Sequence, residues 1–255
     1  MDACILKIKM ASLKQKMPAI DIDRNKLLKW GSIWLGTKSS TTKTKKTNCF
    51  DKKQGMDFGK EVLDPTVAQS FAEMLGNIPV LNPISNKALL PPEPDCVELG
   101  DTRIIGGIRP QNFDLAYRPD GLRIAYDSKT LNDFDSVKKN WQNMINDLAT
   151  EATTVHTRFP YAIVAFFVAI PKPALSTSQE FDIVRTLERL GARKNVLNQS
   201  HLAEAISLLI WDPTTGIIDT SVPSSSSHLR IEKFSEILYS IYLVRYKGLP
   251  PHDKS

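Results

Sequence analysis

Two aspartates and a lysine lie in a segment whose sequence pattern predicts a β-hairpin. Their spacing suits a site that binds a metal ion and a phosphate group. Apolar residues alternate with other residues over positions 113–127, and Arg118-Pro119-Asp120-Gly121 in the middle is a strong turn sequence. Strand alternation places the apolar side chains on one face and Asp114, Asp127 and Lys129 on the other. These three residues are the first candidates for chemistry.

The distance between the two aspartates depends on the turn. A two-residue turn at Asp120-Gly121 pairs Asp114 directly with Asp127, whereas a three-residue turn with a bulge shifts the pairing by one. Directly paired residues have Cβ atoms about 4.5–5.5 Å apart, so the two carboxylates repel each other. The small residues Ala116 and Ala125 beside them predict open space on this face.

A divalent cation resolves such a repulsion. Mg²⁺ binds oxygen ligands, keeps several of its waters and commonly contacts a phosphate of its substrate. Lys129 lies two residues beyond Asp127 on the same face, about 6.6–6.8 Å along the strand and within reach of that phosphate. The set predicts metal-assisted phosphodiester hydrolysis, in which the cation polarises the phosphate and activates a water while the ammonium stabilises developing charge.

The same residues also fit a surface hairpin with solvated charges, in which Lys129 forms ordinary ion pairs. Isolated Asp-x-Lys tripeptides occur easily, and this chain has a second one at Asp51-Lys52-Lys53. That copy lies in a polar, basic stretch with no strand before it, and we therefore exclude it. The hairpin and the amphipathic helix that follows it favour the first copy.

Helices and strands that would position these residues are predicted on both sides of the hairpin. Asp64-Pro65 begins a helix that continues to Leu75, since proline is favoured at the first helical position. A 3.6-residue apolar period after Asn132-Asp133 predicts a second helix, and the apolar run Tyr161 to Ile170 predicts a central strand covered on both faces. The remaining predicted elements are strands at 102–108, 113–117, 122–127, 205–211 and 217–218 and helices at 176–190 and 231–246.

Phe113-Asp114, followed after twelve residues by Asp127-Ser128-Lys129, resembles the PD-(D/E)xK nuclease signature. The core of that fold is a helix, three strands, a helix and a strand, and the order predicted for residues 64–170 is similar. The resemblance implies an α/β fold (an α+β mixed sheet) with a restriction-endonuclease-like αβββαβ core and extra helices and strands. It also implies Asp114, Asp127 and the main-chain carbonyl of Ser128 as metal ligands, with Asp114, Asp127 and Lys129 as the catalytic residues.

One position departs from the signature, because Phe113 stands where the family has proline. A literal Pro-Asp occurs at Pro119-Asp120, but up to about 23 Å of strand separates it from Asp127, too far to share one ion. Such enzymes commonly add an acidic ligand from the first helix. Glu73 points away from the apolar face of that helix, which leaves Glu61, just before the helix, as the candidate.

Positive charge is concentrated near the start of the chain. Residues 1–60 contain 14 lysines and arginines and 5 acidic residues, while the whole chain has a net charge of +5. We predict a basic N-terminal segment at 1–60 and an endonuclease domain at 61–255, with its catalytic core at 64–170. The densest basic part, Lys38 to Lys53, suits either a phosphate-binding arm or a solvated loop.

Four side chains outside the hairpin are weaker candidates. Gln142, on the helix after Lys129, is placed to approach DNA or simply to face solvent. His156 has no serine or cysteine nucleophile beside it, and we expect it to be structural. Trp30 and Trp34 could stack on bases, although anchoring an N-terminal segment to the core is the more common use of tryptophan.

Composition excludes several classes of protein. With 42% hydrophobic and 24% charged residues, the 255-residue chain is neither disordered nor fibrous. Its longest apolar run, at 161–170, is too short to span a membrane, so we expect no membrane partner. Three dispersed cysteines argue against a disulfide framework and a zinc site. Because no secretion signal is evident either, we expect an intracellular protein.

The resemblance implies a Mg²⁺-dependent, sequence-specific double-stranded DNA endonuclease, most like a Type II restriction enzyme. A homodimer on a palindromic site, in the cytoplasm of a prokaryotic cell, follows from the same resemblance, with a cognate DNA methyltransferase acting on the same site. Two alternatives stay open. One is a structure-specific repair or recombination nuclease with the same chemistry, and the other is a non-catalytic DNA-binding protein on the same fold.

Overall fold

The computed structural model describes residues 13–14, 16–36, 38–39 and 46–252. In chain order, the described elements are α1 (Arg24–Gly36), β1 (Lys38–Ser39), β2 (Lys46–Thr47), α2 (Lys52–Phe58), a π-helical turn (Gly59–Leu63), α3 (Asp64–Met74), β3 (Val80–Leu81), β4 (Val97–Ile105), β5 (Pro110–Tyr117), β6 (Ile124–Thr130), α4 (Phe134–Arg158), β7 (Ile163–Pro171), a 3₁₀ turn (Lys172–Ala174), α5 (Thr177–Leu190), β8 (Ala205–Trp211) and α6 (Ile231–Tyr246).

Strands β3 to β8 form one mixed sheet in sequential order. β4, β5 and β6 pair in antiparallel fashion, whereas β7 pairs parallel with β6 on one side and with β8 on the other. β3 adds a short parallel pair at the β4 edge. All nine residues of β7 are buried, as expected for a run of apolar residues in a parallel sheet that is covered on both faces.

Helices cover both faces of the sheet. On one face, Glu151 of α4 contacts Lys129 of β6. On the other face, the ring of Phe234 in α6 packs edge-on against Tyr126 of β6 and Phe167 of β7. Successive residues of a strand point to opposite faces, so Tyr126 and Lys129 mark the two sides. No helix in the described part of the chain is long and apolar enough to cross a membrane.

The hairpin face that we predicted to be open is in fact covered. Ala116 and Ala125 keep 1% and 0% of their surface exposed, and on this face Glu151 of α4 contacts Lys129. The end of β6 does reach solvent, and the side chain of Lys129 is 25% exposed. The candidate residues therefore lie at the margin of a covered sheet and not on an exposed ribbon.

The predicted mixed α/β class is confirmed. Between α3 and α4 the chain forms four strands, β3 to β6, of which β3 has two residues, and β7 follows α4. β8 and α6 have the predicted bounds, and the helix predicted at 176–190 begins at Thr177 after a Ser176 N-cap. The strand pattern was therefore strong enough to predict the elements around the hairpin.

Two strand predictions are wrong. The strand predicted at 102–108 ends at Ile105, because the main-chain N–H of Gly107 bonds to the carbonyl of Thr154 in α4 and not to the sheet. The predicted strand at 217–218 is reduced to an isolated bridge between Ile218 and Trp211. A tight turn precedes this bridge, in which the N–H of Gly216 donates to the carbonyl of Asp212. The turn leaves too few residues for a longer pair of strands.

Helix α1 packs into the same hydrophobic core as the rest of the described chain. Trp30 and Trp34 keep 4% and 1% of their surface exposed. The ring of Trp30 packs edge-on against Phe50 and Phe58, with centroids 5.5 and 5.8 Å away. Both tryptophans therefore anchor the N-terminal part to the core, and neither presents a ring on which a base could stack.

Candidate active site

The carboxyl end of β6 opens into a pocket of about 430 Å³ that α2 and the π-helical turn also line. Charged side chains are unusually frequent in this pocket, and the hairpin residues predicted from the sequence are all among them. The charged residues of the lining are Asp51, Lys52, Lys60, Asp64, Asp101, Asp114, Asp127 and Lys129.

The β5–β6 hairpin has the register that brings Asp114 and Asp127 together. Leu115 pairs with Tyr126, and one further step in the same register places Asp114 opposite Asp127. This is the register predicted for a two-residue turn. The turn itself is longer, because residues 118–123 connect the two strands.

Asp114 is held by Ser128 of the neighbouring strand. The main-chain N–H of Ser128 donates to the Asp114 carboxylate at 2.9 Å, and its hydroxyl donates to the same oxygen at 3.1 Å. The N–H and the carbonyl of one strand residue point to the same side of the strand. The Ser128 carbonyl therefore leaves β6 on the same side as its N–H, toward β5.

Burial raises the pKa of both hairpin aspartates. The pKa of Asp114 rises from 3.8 to about 8 because of burial, and the negative charge of Asp127 adds to the effect. The pKa of Asp127 rises to about 6, since burial outweighs the favourable charge of Lys129. Near neutral pH the pair therefore holds a proton, which a bound cation would displace.

Lys129 lies between two carboxylates at the margin of the pocket. Its Nζ contacts Oδ2 of Asp127 and lies 2.9 Å from Oε1 of Glu151 in α4. Burial by itself would lower the pKa of Lys129, but the charges of Asp127 and Glu151 hold that pKa above its usual range. The side chain is thus a fixed ammonium group at the pocket. Glu151 has no counterpart in our sequence prediction.

Asp64, the first residue of α3, adds a carboxylate that sequence reasoning also missed. Its side chain is buried beside Ser128 and Tyr126, and its Oδ1 has no hydrogen-bond partner among the described residues. Burial, reinforced by the charge of Asp114, raises the pKa of Asp64 to about 8. In the sequence, Asp64-Pro65 indicated only the start of a helix.

Glu61, our acidic candidate before the first helix, lies outside the pocket, and that prediction is wrong. Its carboxylate pairs with Lys29 at 3.0 Å and accepts a hydrogen bond from Nε1 of Trp30 at 3.2 Å. The π-helical turn at Gly59–Leu63 directs Glu61 toward α1, whereas Asp64, just after the turn, faces the sheet. Such an insertion changes the helical phase, which a regular 3.6-residue period does not anticipate.

Two residues of the excluded tripeptide, Asp51 and Lys52, line the pocket, whereas Lys53 does not. Asp51 is the N-cap of α2 and accepts the main-chain N–H of Gln54 at 2.8 Å, so it is engaged in a capping box. Lys52 and, after the π-helical turn begins, Lys60 also line the pocket. Within the basic stretch predicted at 38–53, residues 40–45 lie outside the described residues.

The other candidates lie away from the pocket. Glu73 lies 3.8 Å from Lys14, on the side of α3 that we predicted to face away. Gln142 is exposed on α4. His156 is buried, and its ring nitrogens form hydrogen bonds with the Ser200 carbonyl at 2.8 Å and with Glu204 at 3.1 Å. His156 is therefore structural, as we expected.

The donors fit a hard divalent cation that is held by few protein oxygens. Within the described ranges, no three histidine, cysteine, aspartate or glutamate side chains are grouped so that they could hold a metal ion by themselves. Mg²⁺ does not need such a cage, because it usually binds one or two carboxylates and completes its shell with water and substrate phosphate. The proton held by Asp114 and Asp127 and the unpartnered Oδ1 of Asp64 match that pattern.

Comparison with known proteins adds no relative from which a function could be transferred. No family model matches the chain, and neither the search of curated proteins nor the search of solved structures gave a match. The interpretation of the pocket therefore depends on its own geometry: two adjacent carboxyls, a fixed ammonium group, the strand residue Ser128 bonded to one of the carboxyls, and a third buried carboxyl nearby.

Proposed function

We propose that this protein is a Mg²⁺-dependent nuclease of the PD-(D/E)xK type that hydrolyses double-stranded DNA at specific sequences, most like a Type II restriction endonuclease. One observation supports the proposal above all others. Asp114, Asp127, Ser128 and Lys129 meet in one pocket, within a segment whose elements are α3, the two-residue β3, β4, β5, β6, α4 and β7. The residues agree with the signature, and apart from the short β3 the element order resembles the αβββαβ core that the signature implies.

Asp114, Asp127 and the carbonyl of Ser128 would hold the cation. Asp64, buried behind Ser128, would add a further carboxyl group beside the cation, whose positive charge would lower the pKa that burial and the charge of Asp114 raise. When bound, Mg²⁺ would polarise a phosphate and lower the pKa of a coordinated water. The proton held by the aspartate pair leaves the site as the cation enters.

The chain's own residues prepare the pocket for a phosphodiester. Lys129 presents a positive charge beside Asp127, where it stabilises the negative charge that develops on the phosphate oxygens. Lys52 and Lys60 line the same pocket from α2 and the π-helical turn, and their side chains are exposed. These two lysines attract the phosphates on either side of the bond that is cut.

Sequence-specific cleavage would place further demands on the protein. A palindromic site would be read by a homodimer, whose two pockets cut the two strands. The host would protect its own copies of the site with a methyltransferase of the same specificity. Groove contacts from arginine, asparagine, glutamine or lysine side chains would supply the base recognition.

The proposal is tested by incubating the purified protein with a sequenced plasmid and a genome-sized DNA in the presence of Mg²⁺. We expect discrete fragments that map to one short sequence, and we expect none with Lys129→Ala or with EDTA. Cleavage restricted to branched or damaged DNA would support the structure-specific nuclease instead. Salt-dependent binding with no cleavage of any DNA would support the non-catalytic DNA-binding protein.

A further inference from the structure

Glu151 is a buried carboxylate beside the candidate catalytic lysine. It belongs to α4, two turns before that helix ends at Arg158, and the residue keeps 4% of its surface exposed. A buried carboxylate is costly unless it is paired and hydrogen-bonded. The contacts of Glu151 therefore indicate what it does.

One oxygen of Glu151 has two donors. Its Oε1 accepts from Nζ of Lys129 at 2.9 Å and from Nε2 of Gln111, in β5, at 3.2 Å. Its Oε2 is buried and has no hydrogen-bond partner among the described residues. The carboxylate thus joins α4 to both strands of the hairpin through Lys129 and Gln111.

Glu151 is not part of the pocket wall. Asp127 and Lys129 line the pocket, whereas Glu151 lies behind them and does not. A group in this position contacts the lysine from the protein side, away from anything that enters the pocket. Glu151 is therefore placed to act on Lys129 and not on a bound phosphate or cation.

Asp127, the second partner of Lys129, would also have to bind the cation. Asp127 contacts Nζ of Lys129, but under the proposed function its oxygens also face the cation. Once those oxygens are engaged, the attraction between Asp127 and Lys129 is weakened. Glu151 has no such task, so it is the partner that remains with the lysine throughout the reaction.

We propose that Glu151 is a positioning residue that holds the ammonium group of Lys129 at the pocket from behind, with Gln111 fixing the orientation of the Glu151 carboxylate. The proposal rests on the proposed function for its catalytic consequence. Its structural consequence is that the Lys129 ammonium group is ordered only when Glu151 is present. This order can be measured without any catalysis. A loss of this positioning is expected to lower the cleavage rate about 10- to 100-fold.

The experiment compares Glu151→Ala, Glu151→Gln and Asp147→Ala, the last being an exposed carboxylate one turn earlier on the same helix. Single-turnover cleavage of a plasmid fragment that the wild type cuts, and the Kd for that fragment without metal, are measured for each. We expect Glu151→Ala to lose at least tenfold in rate with Kd unchanged within twofold. Glu151→Gln keeps an oxygen that accepts from Lys129, so it should recover most of the rate. Asp147→Ala should match the wild type.

A second measurement is independent of activity. The lysine ammonium NMR signals of the metal-free protein are recorded, and the Lys129 signal is assigned by its disappearance in Lys129→Ala. We expect that signal to be lost in Glu151→Ala and kept in Glu151→Gln, with circular dichroism showing both variants folded. If Glu151→Ala does not fold, Gln111→Leu, which removes one donor from the carboxylate, takes its place with a loss of about two- to fivefold in rate.

Each outcome bears on one of the two proposals. Full activity and an unchanged Lys129 signal in Glu151→Ala would overturn the positioning role. Equal loss in Glu151→Ala and Glu151→Gln would overturn it too, because that result requires the negative charge itself. A wild type that cuts no DNA but shows the Glu151-dependent Lys129 signal would refute the nuclease and leave the positioning of Lys129 intact.

Discussion

Asp114 accepts two hydrogen bonds from Ser128, one from the main-chain N–H at 2.9 Å and one from the hydroxyl at 3.1 Å. The strand pairs of the hairpin end at Leu115, so these bonds continue the connection between β5 and β6 through a side chain. They also fix the Asp114 carboxyl next to Asp127, whose negative charge raises the pKa of Asp114. The site is therefore built at a cost in stability, and that cost depends on pH and on cations.

The first prediction concerns the stability of the metal-free protein as a function of pH. The pKa values of Asp64 and Asp114 are each raised from 3.8 to about 8 in the folded protein. Between about pH 4 and pH 8 the folded state therefore binds more protons than the unfolded state. The stability that these groups contribute is complete below about pH 4 and is lost as the pH rises through 8. The free energy of unfolding should fall over this range.

Urea unfolding at several pH values between about 5 and 8 measures this slope. Asp114→Asn should make this slope less steep, because the amide stays neutral at every pH while the carboxyl of Asp64 still titrates. The lowered pKa of Glu204 works in the opposite direction but in a lower range, below about pH 4.5. A slope in Asp114→Asn equal to that of the wild type would contradict the assignment of the effect to this carboxyl.

The second prediction concerns added Mg²⁺. Ligand carboxyls must lose their protons before they bind a metal ion, so Mg²⁺ should raise the Tm more at pH 8 than at pH 6. At a concentration a hundredfold above its Kd, a ligand stabilises the folded state by about 2.7 kcal/mol. Differential scanning calorimetry with NaCl at equal ionic strength as the control separates binding from screening. The same shift in Asp127→Ala as in the wild type would show that the ion binds elsewhere.

The third prediction concerns the candidate catalytic residues. Asp127→Ala and Lys129→Ala should each lower cleavage by at least about 100-fold, because the first removes a proposed ligand of the cation and the second removes the ammonium group proposed to stabilise the developing charge. Folding and most of the DNA binding should remain, since other basic residues contact the backbone. Lys53→Ala is the matched control: Lys53 also follows an aspartate by two positions, but its side chain is 87% exposed and pairs with Asp57. Cleavage assays and gel-shift titrations would reveal any residual activity, and full activity of either variant would end the nuclease assignment.

The hairpin site could be predicted because its information is local. Alternation and a turn sequence determine which side chains share a face over a few residues, and Asp114, Asp127 and Lys129 follow from that pattern. Asp64 and Glu151 could not be predicted in this way. They approach the hairpin because α3 and α4 pack against the sheet, and in the sequence they do not differ from acidic residues on a solvated helix.

Helices α1 and α2 were missed for a related reason. α2 contains Gly55 and continues into Gly59 of the π-helical turn, and glycine is a poor helix former. Tertiary packing overrides that propensity, because Phe58 stacks on Trp211 of β8 with ring centroids 5.4 Å apart. This contact joins residues that are far apart in the chain, so a sequence pattern over a few neighbouring residues could not predict it.

The fourth prediction tests the close approach of the π-helical turn to the site. A Cβ on Gly59 would lie 2.7 Å from Oγ of Ser128 and 3.6 Å from Oδ2 of Asp64. Gly59→Ala must therefore displace Ser128, and we expect a loss of about 1–3 kcal/mol in stability together with weaker Mg²⁺ binding. Gly36→Ala is the control, since a Cβ there meets nothing within 4 Å. Equal free energies of unfolding for the two variants would show that the π-helical turn can move away from Ser128 without loss of stability.

The fifth prediction concerns the buried charges beneath β7. Glu204 accepts hydrogen bonds from Arg193 and from the main-chain N–H of Val164 at 2.8 Å, and it forms an ion pair with Arg245 at 2.8 Å, in addition to its bond with His156. Burial would raise the pKa of Glu204, but His156 and Arg245 lower it below its usual value. The carboxylate is thus charged, and it holds together β7, α6 and the end of α4.

Removing this carboxylate leaves two arginines buried without their common partner. Glu204→Ala should therefore cost about 3–5 kcal/mol, whereas Glu232→Ala should cost about 0–1 kcal/mol, because Glu232 is 61% exposed where it pairs with Arg230. Urea unfolding of both variants at pH 7 measures the difference. Because β7 pairs with β6 along the full length that presents Asp127 and Lys129, the Glu204 variant should also lose Mg²⁺ binding before it unfolds globally. Similar stabilities for the two variants would mean that the arginines find new partners, and β6 would then not depend on this network.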